Sequence, residues 1–202
     1  MKRKASCSFK DGFQSYNSRW KMPFEESGSS SNLYYSFEVA GAHIIMLGSY
    51  TDYDEHSDQY NWLKADVAKV DRKKTPWLLV LFHVPWYNSN EAHQGEGDRM
   101  MEAMEPLLHA ASVDIVLAGH VHAYERTERV NNGKLDPCGA VHITIGDGGN
   151  REGLANRYKN PQPAWNDDDE PVRSDQVWIT SLQSSGCIAE KKDELRKILT
   201  GP

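Results

Sequence analysis

The apolar positions of the chain cluster into runs that predict β-strands. Two runs, residues 33–40 and 43–48, lie on either side of Gly41 and predict a hairpin or a pair of adjacent strands. Three later runs are almost continuously apolar, which is typical of strands buried on both faces of a sheet. These three runs are residues 77–82, 113–117 and 141–145.

Helical spacing of apolar residues separates the strand-like runs. In residues 57–73 apolar side chains recur on one helical face, and a serine–aspartate pair at the start can cap the helix. Residues 96–111 show the same period, residues 191–199 predict a short further helix, and residues 176–182 fit one more strand. Alternating buried strands and helices predict a layered α/β domain, whose active site lies at the carboxyl ends of the strands.

Composition divides the chain into three parts and limits its partners. The 202 residues suffice for one domain with a good core. Residues 1–31 are polar and are predicted to be poorly structured, residues 32–165 carry the α/β pattern, and residues 166–202 form a polar tail. The net charge of −6 argues against a nucleic-acid partner. No apolar run reaches the roughly 18 residues that a membrane helix needs, so we expect no membrane partner.

Three widely spaced cysteines, Cys7, Cys138 and Cys187, do not make a disulfide framework, although they allow one bridge. The N-terminus is basic but lacks an apolar segment, so no signal peptide is predicted. The chain also has no Asn-x-Ser/Thr acceptor site. As written, the chain is therefore expected to stay in the cytosol, and its oligomeric state is left open.

Two successive buried strands end in histidines. Residues 77–82 lead into His83, and the next buried run leads into a Gly-His-Val-His segment that contains His120 and His122. If the strands are parallel neighbours, these imidazoles meet at one sheet edge, and the glycine allows a turn that aims both at one point. Neutral imidazole is the commonest metal ligand in proteins. The pattern predicts a metal centre, with either one metal or two metals that share carboxylates.

The loop after His83 and the loop after the last apolar run add further candidates. His93 can hold a phosphate oxygen or can be an exposed loop histidine, and Glu91 and Glu96 can support the site or be merely solvated. Residues 146–150, GDGGN, resemble a phosphate-cradling loop, but their spacing matches no P-loop and favours a tight turn.

Several of these segments together resemble a known family. Residues 80–83 (VLFH), 85–89 (PWYNS), 119–126 (GHVHAYER) and 143–150 (ITIGDGGN) are similar to segments of plant purple acid phosphatases, a branch of the calcineurin-like metallophosphoesterases. The resemblance covers roughly residues 14–165 and implies a layered, αββα-type sheet sandwich that is incomplete at its N-terminal side.

The resemblance also implies a metal centre and roles for four histidines. The family uses Fe(III) together with Fe(II), Zn(II) or Mn(II). By position in the motifs, His83 and His120 correspond to ligands of the divalent metal and His122 to a ligand of the ferric ion. His93 corresponds to a histidine that contacts the substrate phosphate, and Ala92 stands where the family often has another histidine.

Part of the family's ligand set has no counterpart in the chain. The family's Gly-Asp-x-Gly, Gly-Asp-x-x-Tyr and Gly-Asn-His-Glu blocks, which supply the carboxylates, the tyrosine and the asparagine, are not found. The passage from Trp165 to Asn166 also resembles an internal deletion. Two metal ions without carboxylates between them repel strongly. We therefore expect at most one weakly bound divalent metal, on His83 and His120 with His122 as an optional third ligand.

Three functional hypotheses follow. The first is an acid phosphatase that hydrolyses small phosphate monoesters, with little or no activity in this chain alone. The second is a non-catalytic truncated product that retains some metal binding. The third is a metallophosphoesterase that acts on diesters or nucleotides. The family is usually secreted or vacuolar, in contrast to the localisation expected from the chain itself.

Overall fold

The computed structural model describes residues 12–149, 151–166, 187 and 191–200. Within them, seven strands form one sheet in the order β1-β2-β3-β4-β7-β5-β6. The strands are β1 Tyr35–Val39, β2 Ala42–Met46, β3 Trp77–Leu81, β4 Ile115–Ala118, β5 Tyr124–Asn131, β6 Lys134–Leu135 and β7 Ala140–Ile145. The helices are α1 Gln14–Arg19, α2 Asp58–Val67, α3 Asp98–Ala110 and α4 Lys192–Thr200. The predicted α/β class is confirmed.

The four central strands are parallel, so their carboxyl ends share one edge of the sheet. β2 pairs with β3, β3 with β4, and β4 with β7 in the parallel sense. β1 pairs antiparallel with β2 across a turn in which Ala40 and Gly41 both have positive φ. β5 and β6 add antiparallel strands at the other side. The predicted adjacency of the first two strands is confirmed as a hairpin.

The main core lies between one sheet face and helices α2 and α3. Ile45, Leu78, Val80 and Val116 point into this layer, and they are almost completely buried. The helices contribute apolar stripes that include Leu63 and Met104. Ser57 caps α2 by accepting a hydrogen bond from the Tyr60 backbone N–H, as the sequence suggested.

The opposite sheet face is also apolar, but it is only half-buried. Ile44 lies level with Leu79, and Met46 lies level with Leu81 and Leu117, so their side chains form two apolar rows. At the carboxyl edge, a cavity of about 450 Å³ lies above this face, and its mostly apolar lining includes Phe13 and Tyr16 of the α1 region. The described part of the chain therefore contains one full helix layer and one partly open face.

Some elements differ from the sequence-based expectations. The helices predicted over residues 57–73 and 96–111 are shorter, at Asp58–Val67 and Asp98–Ala110. A short helix, α1, lies inside the segment predicted to be poorly structured. The strand predicted for residues 176–182 lies outside the described residues.

The C-terminal helix is joined to the sheet by a covalent bridge. Cys138, which precedes β7, forms a disulfide with Cys187, 49 residues later in the chain. Helix α4 packs against α3, with Leu195 and Ile198 against the core. No helix in the described part of the chain combines the length and the apolar character needed to cross a bilayer.

Candidate metal and phosphate site

The loops that follow β3 and β4 meet at the carboxyl edge of the sheet. Gly119 N–H donates to the carbonyl of His83 (3.0 Å), which continues the β3–β4 pairing one step beyond the strands. His83 and His120 therefore lie side by side, with Nε2 of His83 3.0 Å from Nδ1 of His120. The parallel sheet brings these two predicted site residues together.

Two further side chains complete the cluster. One oxygen of Glu96 lies 2.8 Å from Nε2 of His120, and its other oxygen lies 2.9 Å from Nδ1 of His93. The rings of His93 and His120 are 4.1 Å apart. Of the two glutamates considered in this loop, Glu96 is the one in the cluster, whereas Glu91 lies 3.8 Å from Arg157. We refer to His83, His93, Glu96 and His120 as the histidine–glutamate cluster.

His122 lies on a different side of the turn. Its Nδ1 is 3.9 Å from Glu152, a residue of the loop that follows β7. The sequence suggested that a flexible glycine would aim His120 and His122 at one point, but Gly119 has no positive φ and the turn is made by His120 itself. As a result, His120 is directed at Glu96 and His122 toward Glu152.

Two of the cluster's histidines have left-handed backbone conformations. His93 has φ 56° and His120 has φ 65°. Such conformations are uncommon for residues other than glycine, and they cluster at functional sites, where the surrounding structure imposes them. The backbone is thus arranged to hold these two imidazoles in place.

A glycine fixes the position of the Gly-His-Val-His turn. A Cβ atom on Gly146 would lie 1.8 Å from the carbonyl oxygen of Val121, and Gly146 N–H also donates to the carbonyl of Ala123. The loop after β7, interpreted from sequence as a tight turn, therefore packs directly on the backbone between His120 and His122. Sequence reasoning missed this role, because a close backbone approach leaves no pattern beyond the glycine itself.

The electrostatics of the cluster favour an ionised carboxylate among imidazoles. Hydrogen bonds from His93 and His120 hold the pKa of Glu96 below its usual value. Burial, and then the neighbouring His120 and His93, lower the pKa of His83. His83 therefore favours the neutral form, and its Nε2 lies within hydrogen-bond distance of Nδ1 of His120, with the donor set by the tautomers of the two rings.

The donor atoms fit one metal ion better than two. Among the described residues, His93, Glu96 and His120 offer ligand atoms that all lie within 4.8 Å of one another. This set has one carboxylate and two imidazoles, and a pair of metal ions a few ångströms apart needs more negative charge between them. The described residues therefore do not fit a complete binuclear centre.

His142 is a buried histidine that lies outside the site. Complete burial lowers the pKa of His142 to about 3, and its ring packs edge-on against Tyr87 at 4.6 Å. A histidine that stays neutral between aromatic rings has a packing role.

Family models match most of the chain. The model described as "Calcineurin-like phosphoesterase" matches residues 6–124, more than half of the sequence. The chain belongs to the calcineurin-like phosphoesterase family. A second family model, described as "Iron/zinc purple acid phosphatase-like protein C", matches residues 139–170. These matches confirm the resemblance inferred from the sequence motifs.

Individual members of the family are similar over nearly the whole chain. "Purple acid phosphatase 18" of Arabidopsis thaliana is 66% identical over 219 residues, which cover 95% of this chain and 50% of the relative. "Purple acid phosphatase 22" of the same plant is 55% identical, and the match covers 91% of this chain and 49% of the relative. A purple acid phosphatase structure from yellow lupin (Lupinus luteus) seeds has a TM-score of 0.61 and 26% identity, covering 68% of this chain and 27% of that one.

The chain spans about half the length of the curated relatives it matches. It is thus partial relative to them, as the missing ligand blocks suggested. The aligned stretch of 219 residues is longer than the 202 residues of the chain, so the relative has residues there that this chain lacks. This agrees with a deletion inside the matched region, whose position at residues 165–166 stays a prediction.

Proposed function

We propose that this chain is the C-terminal part of an enzyme that hydrolyses small phosphate monoesters with a binuclear metal centre. The observation that carries the proposal is the histidine–glutamate cluster at the carboxyl edge of a phosphoesterase sheet. The metals would be Fe(III) with Fe(II), Zn(II) or Mn(II). In the complete enzyme His83, His120 and His122 would serve as ligands, as their motif positions imply.

The role proposed for His93 is contact with the substrate phosphate. The Nδ1–H of His93 donates a hydrogen bond to Glu96, which fixes the ring. In its imidazolium form, His93 can also donate from Nε2–H to a phosphate oxygen. The side chain of His93 is 41% exposed, so a small phosphate ester can reach it. Because the described residues do not fit a complete binuclear centre, we expect little or no turnover by the 202-residue chain alone.

A chimera tests the proposal. Residues 12–165 would replace the matching part of Arabidopsis purple acid phosphatase 18, and hydrolysis of 4-nitrophenyl phosphate would be measured. We expect activity that His120→Ala abolishes and that the matched change at an exposed histidine, His56→Gln, leaves unchanged. A folded chimera without activity would contradict the proposal, and so would faster cleavage of bis(4-nitrophenyl) phosphate, which indicates a diesterase.

We further infer that the protein is secreted or vacuolar. The support is the disulfide between Cys138 and Cys187, because such bonds persist mainly in oxidising compartments. Mass spectrometry of protein purified from its source without reductant should recover the two cysteine peptides linked. Recovery of both as free thiols would count against this localisation.

A further inference from the structure

We propose that in the 202-residue chain His93, Glu96 and His120 together bind one divalent transition-metal ion, while His83 positions His120. This site differs from the His83, His120 and His122 set that the family resemblance implies. It goes beyond the proposed function, because it requires no phosphatase activity and no part of the protein outside this chain.

The distances suit a shared ion. The two Glu96 oxygens lie 2.9 Å from Nδ1 of His93 and 2.8 Å from Nε2 of His120. With metal–ligand bonds of about 2.0–2.2 Å, neighbouring ligand atoms in a tetrahedral or octahedral site lie roughly 3 to 3.5 Å apart. The three ligand atoms lie within 4.8 Å of one another, so side-chain rotations must draw them closer around the ion. The exposed His93 and Glu96 permit such rotations, with side chains 41% and 48% exposed.

The chemistry of the set also suits a transition metal. Two imidazole nitrogens and one carboxylate form the combination that binds Zn(II), Fe(II) and related ions with open positions left for water. In the metal-free chain, protons bridge Glu96 to the two imidazoles. The ion takes the place of these protons, so binding releases protons.

The surroundings of His120 are arranged as for a metal ligand. A metal-bound histidine usually has its other ring nitrogen held by a hydrogen bond, which sets the tautomer and the ring orientation. In this chain Nδ1 of His120 faces Nε2 of His83 at 3.0 Å, and the ring of Tyr50 packs 5.7 Å from the ring of His83. His83 therefore acts through His120 and is a positioning residue.

The backbone supports the same set of ligands. Both imidazole ligands, His93 and His120, have left-handed backbone conformations, so the chain holds them against its own local preference. His122 lies 3.9 Å from Glu152 and makes a separate contact. The family's ligand His122 is therefore expected to contribute little in this chain.

Isothermal titration with ZnCl₂ of the purified 202-residue chain tests the site. We expect one Zn(II) per chain, with the affinity reduced at least tenfold by Glu96→Gln or His93→Gln. Two matched controls, Glu91→Gln in the same loop and His122→Gln in the same turn, should leave the affinity unchanged. His83→Gln should weaken binding about 10-fold to 100-fold, as expected for a residue that holds a metal ligand.

Titration with Co(II) gives a second readout. Its visible absorption reports the ligand field, so Glu96→Gln should change the spectrum, and His122→Gln should not. Circular dichroism would establish that each variant is folded. The proposal is overturned by two ions per chain, by a folded wild-type chain without binding, or by loss of binding in His122→Gln but not in Glu96→Gln. None of these outcomes depends on the activity of the chimera.

Discussion

His43 is a buried histidine whose charge is decided by its acidic neighbours. It lies on β2 with Nε2 2.8 Å from Asp66 of α2, and Asp66 also accepts a hydrogen bond from Ser36. Glu38 adds its charge from 3.6 Å, a distance too long for a hydrogen bond. Burial lowers the pKa of His43, but the hydrogen bond and charge of Asp66 and the nearby Glu38 outweigh burial, so the pKa is raised above 6.5.

The raised pKa makes part of the chain's stability pH-dependent. Because His43 binds its proton more tightly when folded, the contribution is fully present below the unfolded pKa of 6.5. It is lost as the pH rises through the folded pKa. We expect His43→Gln to lower the free energy of unfolding more at about pH 5.5 than at about pH 9.

Urea unfolding of the wild type and His43→Gln at both pH values measures this difference. Asp66→Asn is the matched control, because it keeps an oxygen for Ser36 but removes the charge that favours protonated His43. Equal losses at the two pH values in His43→Gln would contradict the assignment.

At the residue scale, the sequence identified donor types but could not supply their directions. His83 and His120 were expected to meet because each follows a buried parallel strand, and they do. Glu96 could not be separated from Glu91, since both are acids in the same loop. The turn of the loop decides which of the two glutamates reaches the cluster. This turn includes His93, which has a positive φ, and the composition of the loop does not predict it.

At the scale of elements, the disulfide connects helix α4 to the sheet. The bridge from Cys138 to Cys187 closes a 49-residue separation, and Lys191 donates a hydrogen bond to the Cys138 carbonyl beside it. Constraining a loop of this length stabilises the folded state by about 4 kcal/mol in the chain-entropy account. Cys138→Ser is therefore expected to reduce the free energy of unfolding by up to about that amount.

Thermal unfolding with and without a phosphine reductant checks this expectation. The reductant should lower the Tm of the wild type and leave the Tm of Cys138→Ser unchanged. If the reductant lowers the two Tm values equally, the bridge is not the cause. The sequence predicted a short helix over residues 191–199. It allowed one bridge among the three cysteines without indicating which pair forms it.

The strands predicted from the sequence differ from the two that were not predicted, β5 and β6, in what stabilises them. Trp77–Leu81 was recognisable because almost every position is apolar. Tyr124–Asn131 carries charged residues at several positions, so its periodicity does not indicate a strand. It is a strand because its backbone pairs antiparallel with β7, with an irregularity between Arg126 and Arg129. Pairing with a distant segment is a tertiary effect that a local pattern does not contain.

At the scale of the whole molecule, the part of the described structure that is least covered is one face of the sheet. β1 and β6 border the described sheet, so the buried strands between them are paired on both sides. The partly open region is the apolar face with Leu81 and Leu117. Exposed apolar faces favour association with other apolar surfaces.

A charged side chain on this apolar face should therefore reduce the association of one copy of the chain with another. Ile145 lies at its carboxyl edge and is 51% exposed, so Ile145→Lys introduces a charge without emptying the core. We expect less concentration-dependent association in sedimentation velocity and less binding of an apolar fluorescent dye. Leu135→Lys is the matched control, because Leu135 is 57% exposed but lies on β6. Equal effects of the two variants would mean that the face is not responsible.

The sheet order has a further consequence for the backbone amide hydrogens. Each of β2, β3, β4 and β7 is hydrogen-bonded to a strand on both sides within this chain. Their amide hydrogens are released to solvent only when the sheet opens as a whole, whereas those of border strands escape by local fraying. The strands that lead into His83 and His120 thus report global opening, and an ion bound to the site would slow their exchange by a factor of one plus the ratio of the free ion concentration to Kd.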